Sequence, residues 1–279
     1  MEYRLKDIRS FEPIHIFECG QCFRWNREED GSYTGVFGGN VLNVKKEKDE
    51  VIFKGIVSGD IKEVIEDYFD LKRDYEKIKE KLSLVDNNLK TSIEYGYGIR
   101  ILNQDIWETI ISFIISANNN IPRIKGIIER ISKKYGKEIV WDNKTYYTFP
   151  TPRDLSRASV KDLKELGLGF RDKRVYKMTK MILNKEVDLE KLKQIKEVEL
   201  LREKLLLLPG VGPKVADCIM LFSLKKYEVF PIDVWIERTM NELYNVGTKK
   251  QIQNLAHEKY GNLAGLAQQY LFYWKRQAS

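Results

Sequence analysis

The chain is poor in cysteine, with only Cys19, Cys22 and Cys218 among 279 residues. An odd and sparse count argues against a disulfide framework and fits a reducing compartment. It also rules out an iron-sulfur cluster, which takes about four thiolates. Long apolar runs are missing as well. No stretch approaches the ~18 uninterrupted apolar residues of a membrane span, and the N-terminal MEYRLKDIRSFEP has no apolar signal core. The protein is therefore expected to stay inside the cell, in the cytoplasm or with the chromosome, and off membranes. Low-complexity tracts are absent too. With 43% hydrophobic and 32% charged residues, the composition describes a globular protein rather than a disordered or fibrous one.

The length exceeds the ~100 to 200 residues usual for one domain, so one large or two modest domains are expected. Net charge is +7 and unevenly placed. Residues 1–98 hold 16 Lys+Arg against 20 Asp+Glu, whereas residues 99–279 hold 32 against 21, giving −4 and +11. The basic excess belongs to the C-terminal part, where a polyanion would dock. A merely solubilising basic face would have the same composition.

Residues 13–57 read as strands. HIFECGQCFRW, YTGVF, VLNVKKE and VIFKGIV alternate apolar and polar residues between turns at EEDGS and GGN, the pattern of an antiparallel meander. Helical spacing follows in DIKEVIEDYFDLKRDYEKIKEKL, where Ile61, Val64, Ile65, Tyr68 and Phe69 would cover one sheet face. Beyond residue 99 the strand signal vanishes. Ile106, Trp107, Ile110, Ile111, Ile114 and Ile115 form the broad apolar face of a buried helix, broken by Asn118–Asn120. Further helices are expected near 159–166, 172–184, 198–206, 213–225, 233–244, 248–258 and 262–275. The order gives an α+β fold: an N-terminal antiparallel sheet with helices over 1–98, packed on a mostly helical region over 99–279.

LREKLLLLPGVGPKVADCIMLFS reads as helix, tight turn, helix. Gly210 and Gly212 suit positive φ, and Pro213 suits the first helical position. The turn's backbone N–H groups, those of Gly210, Val211 and Gly212, and the positive end of the next helix form a ready phosphate site. An ordinary αα-hairpin would use the same residues. Lys214, in the first turn of the second helix, places an amine beside that site, where the helix start disfavours a cation and so helps the amine lose its proton. Cys218 follows at i+4, about 6 Å along the axis on the same face. Asp233, nineteen residues after Lys214, stands where a helix N-cap would lie, either as a cap alone or as an acid.

Residues 205–240 resemble the helix-hairpin-helix-Gly/Pro-Asp motif of base-excision DNA glycosylases. Within them, LPGVGPKVADC resembles the catalytic segment of 8-oxoguanine DNA glycosylase/AP lyases. The resemblance implies that Lys214 is the nucleophile of a bifunctional enzyme and Asp233 its acidic partner. It also implies a structural monovalent or calcium ion at the carbonyls of Leu206, Leu208 and Val211, with no other cofactor. The strand meander fits the family's N-terminal domain, which resembles one repeat of the TATA-binding protein.

CGQCFRW resembles the lesion-reading segment. Gly20 there matches the glycine whose carbonyl accepts the N7 hydrogen that 8-oxoguanine has and guanine lacks, a discrimination of ~1 to 3 kcal/mol. A redox or metal role for C-x-x-C is the rival reading, with His15 as the one nearby ligand. SANNNIPRI resembles the void-filling segment, with Asn118 in the space left by the flipped nucleotide and Arg123 reading the orphaned cytosine. ELGLGFRDKR resembles the second such segment, with Phe170 as wedge and Arg171 as the second arginine. Without the resemblance, the asparagines would be a helix stop and Gly167 and Gly169 turn residues. AGLAQQYLFYW resembles the pocket-closing helix. Gln268 would bond the Watson-Crick edge of the base, Phe272 and Cys218 would cover its two faces, and Phe222 would line the pocket.

Four positions depart from the family. Phe170 stands where eukaryotic members carry tyrosine, Trp235 and Lys275 replace a histidine and an aspartate beside the pocket, and Pro213 replaces a small polar residue. The expected partner is duplex DNA holding 8-oxoguanine opposite cytosine, bound by a monomer. The alternatives are a related glycosylase with another base preference and a non-catalytic helix-hairpin-helix DNA-binding module.

Overall fold

The computed structural model describes residues 1–278. Five strands form one antiparallel sheet in the order β1-β5-β4-β3-β2: β1 (Glu2–Lys6), β2 (Trp25–Arg27), β3 (Tyr33–Phe37), β4 (Asn40–Glu47) and β5 (Glu50–Ile56). The meander is as the sequence pattern suggests from Trp25 onward. Before it the structure differs. Pro13–Phe17 is a short helix, α1, because Pro13 has the fixed φ and missing N–H that suit a first helical turn. The edge of the sheet is completed instead by β1, whose residues Glu2–Lys6 pair with β5.

The inner face of the sheet is aromatic. Phe17 stacks on Trp25 with ring centroids 4.0 Å apart, and the Trp25 indole N–H donates to the Tyr68 hydroxyl at 3.0 Å. Helices α2 (Ile61–Tyr68), α3 (Tyr75–Ser83) and α4 (Asn87–Tyr95) follow. Each is opened by an aspartate, Asp60, Asp74 or Asp86, whose carboxylate accepts a backbone N–H of the first turn. Ile65 and Tyr68 of α2 belong to the sheet core, whereas Tyr75, Leu82, Leu89 and Ile93 belong to the larger core of the helical region.

The helical region runs α5 (Ile106–Ser116), α6 (Ile121–Tyr135), α7 (Pro152–Leu155), α8 (Val160–Glu165), α9 (Asp172–Leu183), α10 (Leu189–Gln194), α11 (Val198–Leu206), α12 (Pro213–Ser223), α13 (Val234–Tyr244), α14 (Lys249–Tyr260) and α15 (Ala264–Ala278). It is not wholly helical. Between α6 and α7, β6 (Glu138–Trp141) and β7 (Lys144–Tyr147) form a hairpin that the reading beyond residue 99 lacks. Its signal is local: Asp142 and Asn143, both at positive φ, join a β-branched and aromatic run on either side.

Arg100 joins the two cores. Its buried guanidinium donates to the carbonyls of Phe69 and Ser10 at 2.9 Å, of Asp70 at 2.6 Å and of Arg73 at 3.3 Å, while lying over the Tyr75 ring. Arg100→Met removes every one of these donors. Since an unpaired buried polar group costs about 1 to 3 kcal/mol, urea unfolding should show a loss of at least about 3 kcal/mol, with no recovery in Arg100→Lys.

Candidate active site

The hairpin is built by stopping one helix and restarting another within six residues. α11 ends at Leu206; the Leu208 N–H donates to the Leu205 carbonyl at 3.0 Å and the Val211 N–H to the Leu208 carbonyl at 3.1 Å. Gly210 sits at φ +83°, and a Cβ there would come within 2.8 Å of the Arg174 side chain. Gly212 differs from expectation. It has φ −100° and ψ −178°, extended backbone open to any residue, and serves as the N-cap of α12 with space around it. Only Gly210 needs the left-handed region.

From Val215 to Phe222 every residue of α12 is buried, so only its two ends, Pro213 and Lys214 at the start and Ser223 at the finish, reach the surface. Asp217, inside this run, pairs with Arg202 of α11 and ties the two arms of the hairpin. Lys214 stands in the exposed turn. It lines an open groove of about 620 Å³ together with Gly210, Val211, Gly212, Arg174 and Lys249. It also lines a much smaller cavity of about 30 Å³. The amine thus occupies the neck between a backbone-lined groove and a buried cleft, 5.0 Å from the centre of the Phe113 ring.

The small cavity gathers residues from five separated stretches. Gly20, Cys218, Phe222, Asp233, Gln268 and Phe272 all line it with Lys214, so every residue assigned to the chemistry and the base reaches one place. Asp233 caps α13, its Oδ1 accepting the Ile236 N–H at 2.9 Å, and lines the cavity as well, so capping does not take it away from Lys214's cleft. Burial pushes the Cys218 thiol up, with Lys214 pulling it down and Asp233 adding to the rise, so both charges lie close to this sulfur. Gln268 is 5% exposed, and its Oε1 has no hydrogen-bond partner in the protein.

Phe113 was not foreseen. It stacks on Phe222 at 5.5 Å between centroids and closes the cavity from α5, a role invisible in a helix that is apolar all round.

The CGQC segment is no thiolate motif. Both cysteines are fully buried, with the Cys19 thiol pushed up to about 11 and that of Cys22 higher still. His15 uses Nδ1 to accept the Gly98 N–H at 3.1 Å. No group of three or more His, Cys, Asp or Glu side chains suited to a metal occurs among the described residues.

On the groove side the assigned residues divide. Arg123 is exposed, Phe170 is 55% exposed, and Asn118 is exposed at φ +51°. Arg171 is only 2% exposed. Its guanidinium donates to the carbonyls of Ala117, Asn118 and Leu168, so it fixes the asparagine loop rather than projecting toward solvent. Arg174, one turn further along α9, is the exposed arginine beside Phe170, 5.2 Å from its ring centre, and it lines the groove. Trp235 is exposed at the start of α13, and Lys275 pairs with Glu242 at 2.6 Å.

Residues 5–110 match the family model described as 8-oxoguanine DNA glycosylase, N-terminal domain, and residues 111–261 match that of the HhH-GPD superfamily base excision DNA repair protein. A probable N-glycosylase/DNA lyase of Methanothermobacter thermautotrophicus is 36% identical over 78% of this chain and 76% of its own length. The N-glycosylase/DNA lyase of Saccharomyces cerevisiae is 30% identical over 89% of this chain and 72% of its own. The Clostridium acetobutylicum 8-oxoguanine glycosylase/lyase, solved with double-stranded DNA containing cytosine opposite 8-oxoG, is similar with a TM-score of 0.93 and 44% identity. That similarity covers 100% of this chain and 98% of that one. A 3-methyladenine DNA-glycosylase from Archaeoglobus fulgidus, at 21% identity and TM-score 0.81, shares the fold. No helix among the described residues is long and apolar enough to cross a membrane.

The two arginines can be told apart without DNA. Arg171→Met strands three carbonyls and should lower the unfolding free energy by about 2 kcal/mol or more. Arg123→Met, on an exposed position, should stay within about 0.5 kcal/mol of the parent in the same denaturant titration.

Proposed function

Because this chain belongs to the HhH-GPD superfamily of base-excision DNA repair proteins and carries the N-terminal domain of its 8-oxoguanine glycosylases, we propose that it excises 8-oxoguanine from duplex DNA and then nicks the strand. The observation that carries the reading is the place of Lys214 at the neck between groove and cavity. A nucleotide whose phosphates run along the groove and whose base lies in the cavity has its C1′ at that neck.

In this reading residues 99–279 grip the duplex and residues 1–98 bring the lesion reader. The amides of Gly210 and Gly212 hold the backbone at the start of α12, while Val211, whose N–H donates to the Leu208 carbonyl, shapes the turn between them. Carbonyls at the negative end of α11, those of Leu206, Leu208 and Val211, suit a monovalent or calcium ion, which would stiffen the hairpin. Extruding the base costs a few kcal/mol, offset as Asn118 fills the gap, Phe170 wedges the stack, and Arg123 and Arg171 contact the cytosine left behind. Arg171 reaches that base only by releasing part of its hold on the Asn118 loop.

The cavity has room for about one water, so a purine enters only if Phe272 swings off Gly20. The base then lies between Phe272 and Cys218, above Phe222, with its Watson-Crick edge on Gln268 and its N7–H on the Gly20 carbonyl. Lys214 attacks C1′, the glycosidic bond breaks, and the Schiff base that follows undergoes β-elimination 3′ to the lesion. Asp233 stabilises the developing sugar cation and assists the lysine.

Borohydride tests the covalent step. Reduction during turnover of an 8-oxoguanine·C duplex should leave a protein-DNA adduct, absent in Lys214→Gln; an adduct in that variant would overturn the assignment. Asp233→Asn separates capping from chemistry, since asparagine caps a helix as well as aspartate. Its melting temperature should match the parent, while the single-turnover excision rate falls by about 100-fold or more.

A further inference from the structure

The turn that carries Gly20 is held by side chains from elsewhere in the chain. Gln269, 2% exposed on α15, donates from Nε2 to the Cys19 carbonyl. Two turns further on, Arg276 donates to the Glu18 carbonyl at 2.9 Å. On the other side of Gly20, Gln104 donates to the Gln21 carbonyl at 2.8 Å. Gln21 itself is fully buried and bonds the carbonyls of Ile16 at 2.9 Å and Arg100 at 2.8 Å. Carbonyls 18, 19 and 21 are each tied to a named donor. The carbonyl between them belongs to Gly20, the residue of the turn that reaches the cavity beside Cys19.

Gly20 stands at φ +81°, and a glycine can turn its flanking peptide planes at little cost. An acceptor on such a residue discriminates only if its neighbours fix its direction before the ligand arrives, because an acceptor that must reorient gives back what the hydrogen bond contributes. The fixing comes from outside the turn. We propose that Gln269, with Gln104, is the positioning residue that sets lesion selectivity: it orients the Gly20 carbonyl through its hold on the neighbouring Cys19 carbonyl. The inference rests on Gly20 being the lesion reader. Gln268 and Gln269, consecutive on α15, both line the cavity but divide the work: Gln268 keeps an Oε1 with no partner in the protein, whereas Gln269 commits its Nε2 to the Cys19 carbonyl, so that one helix sets the separation between the two edges of the base it would grip.

Gln269→Leu keeps the size and removes the donor; Gln104→Leu does the same from the opposite side on a part-buried residue. Two reactions are compared on each: single-turnover excision of 8-oxoguanine opposite cytosine, and cleavage at a preformed abasic site, which needs Lys214 but no base. Excision should fall about ten- to hundredfold, the worth of one buried hydrogen bond, with abasic-site cleavage within about twofold of the parent. In a Lys214→Gln background, the binding preference for an 8-oxoguanine duplex over a guanine duplex should shrink by a similar factor. Unchanged excision in both variants overturns the proposal, and so does an equal fall of excision and abasic-site cleavage, which marks a general loss of structure. Should Gln269→Leu fail to fold, Gln104→Leu decides. A parent protein that cleaves abasic sites but ignores 8-oxoguanine is a different result, and it overturns the functional reading instead.

Discussion

The site depends first on α12 being unable to move. Eight consecutive residues, Val215 to Phe222, are buried on all sides, and a helix enclosed in this way can neither roll nor slide without breaking packing at near-crystal density. Its first turn is therefore a fixed point in space. A lysine is a flexible side chain, and anchoring its backbone leaves only its own four carbons to search. The Asp217–Arg202 pair adds register rather than much stability, since a buried ion pair roughly repays its own desolvation while forbidding the two arms to shift.

Around this fixed point the resting cavity is small and imperfectly satisfied. Three buried polar atoms of α15, Oε1 of Gln268, the Tyr270 hydroxyl and Nη1 of Arg276, have no partner in the protein, and α15 is also the helix that carries Phe272 against Gly20. Leaving such atoms unpaired costs free energy, and evolution of a plain core would replace them with apolar side chains. Gln268 lines the small cavity and the Arg276 guanidinium lies beside Gly20, so the retention of these two suits a site that completes itself when a polar, planar group enters. Phe272, only half-buried where its neighbours Leu271 and Tyr273 are buried, is the part of that wall with freedom to yield.

What could be read from the sequence was what local chemistry decides. A lysine after LPGVGP at a helix start, an N-capping aspartate nineteen residues on, and the heavy helical periodicity of α5, α9 and α12 all carry their signals within a few residues. What escaped depends on distant partners. Arg171 looks like any basic residue near a turn until three carbonyls surround it. Phe113 is one apolar residue among many on α5, and Gln269 one of two adjacent glutamines. Strand β1 is five residues of mixed character that pair only because β5 offers an open edge. Gly212 shows the opposite error: a glycine invites a conformational explanation, yet its backbone is ordinary and its use is as a cap.

The unforeseen hairpin of β6 and β7 shows how far the frame of the lesion-reading turn extends. The Tyr147 carbonyl accepts from Arg24, Lys144 pairs with Glu28 at 3.0 Å, and Lys125 of α6 donates to the Trp25 carbonyl. All three contacts clamp residues 24–28, the segment that leads out of CGQC into β2. That segment is therefore gripped from the helical region on its far side, just as Gln104 and α15 grip residues 18–21 from the near side. Beside the Arg100 junction, the sheet and the helices meet along residues 18–28, and that stretch holds Gly20. Rigidity there costs little new structure, because each clamp uses an element already needed for folding, and it brings the N-terminal sheet into fixed register with a lysine nearly two hundred residues away.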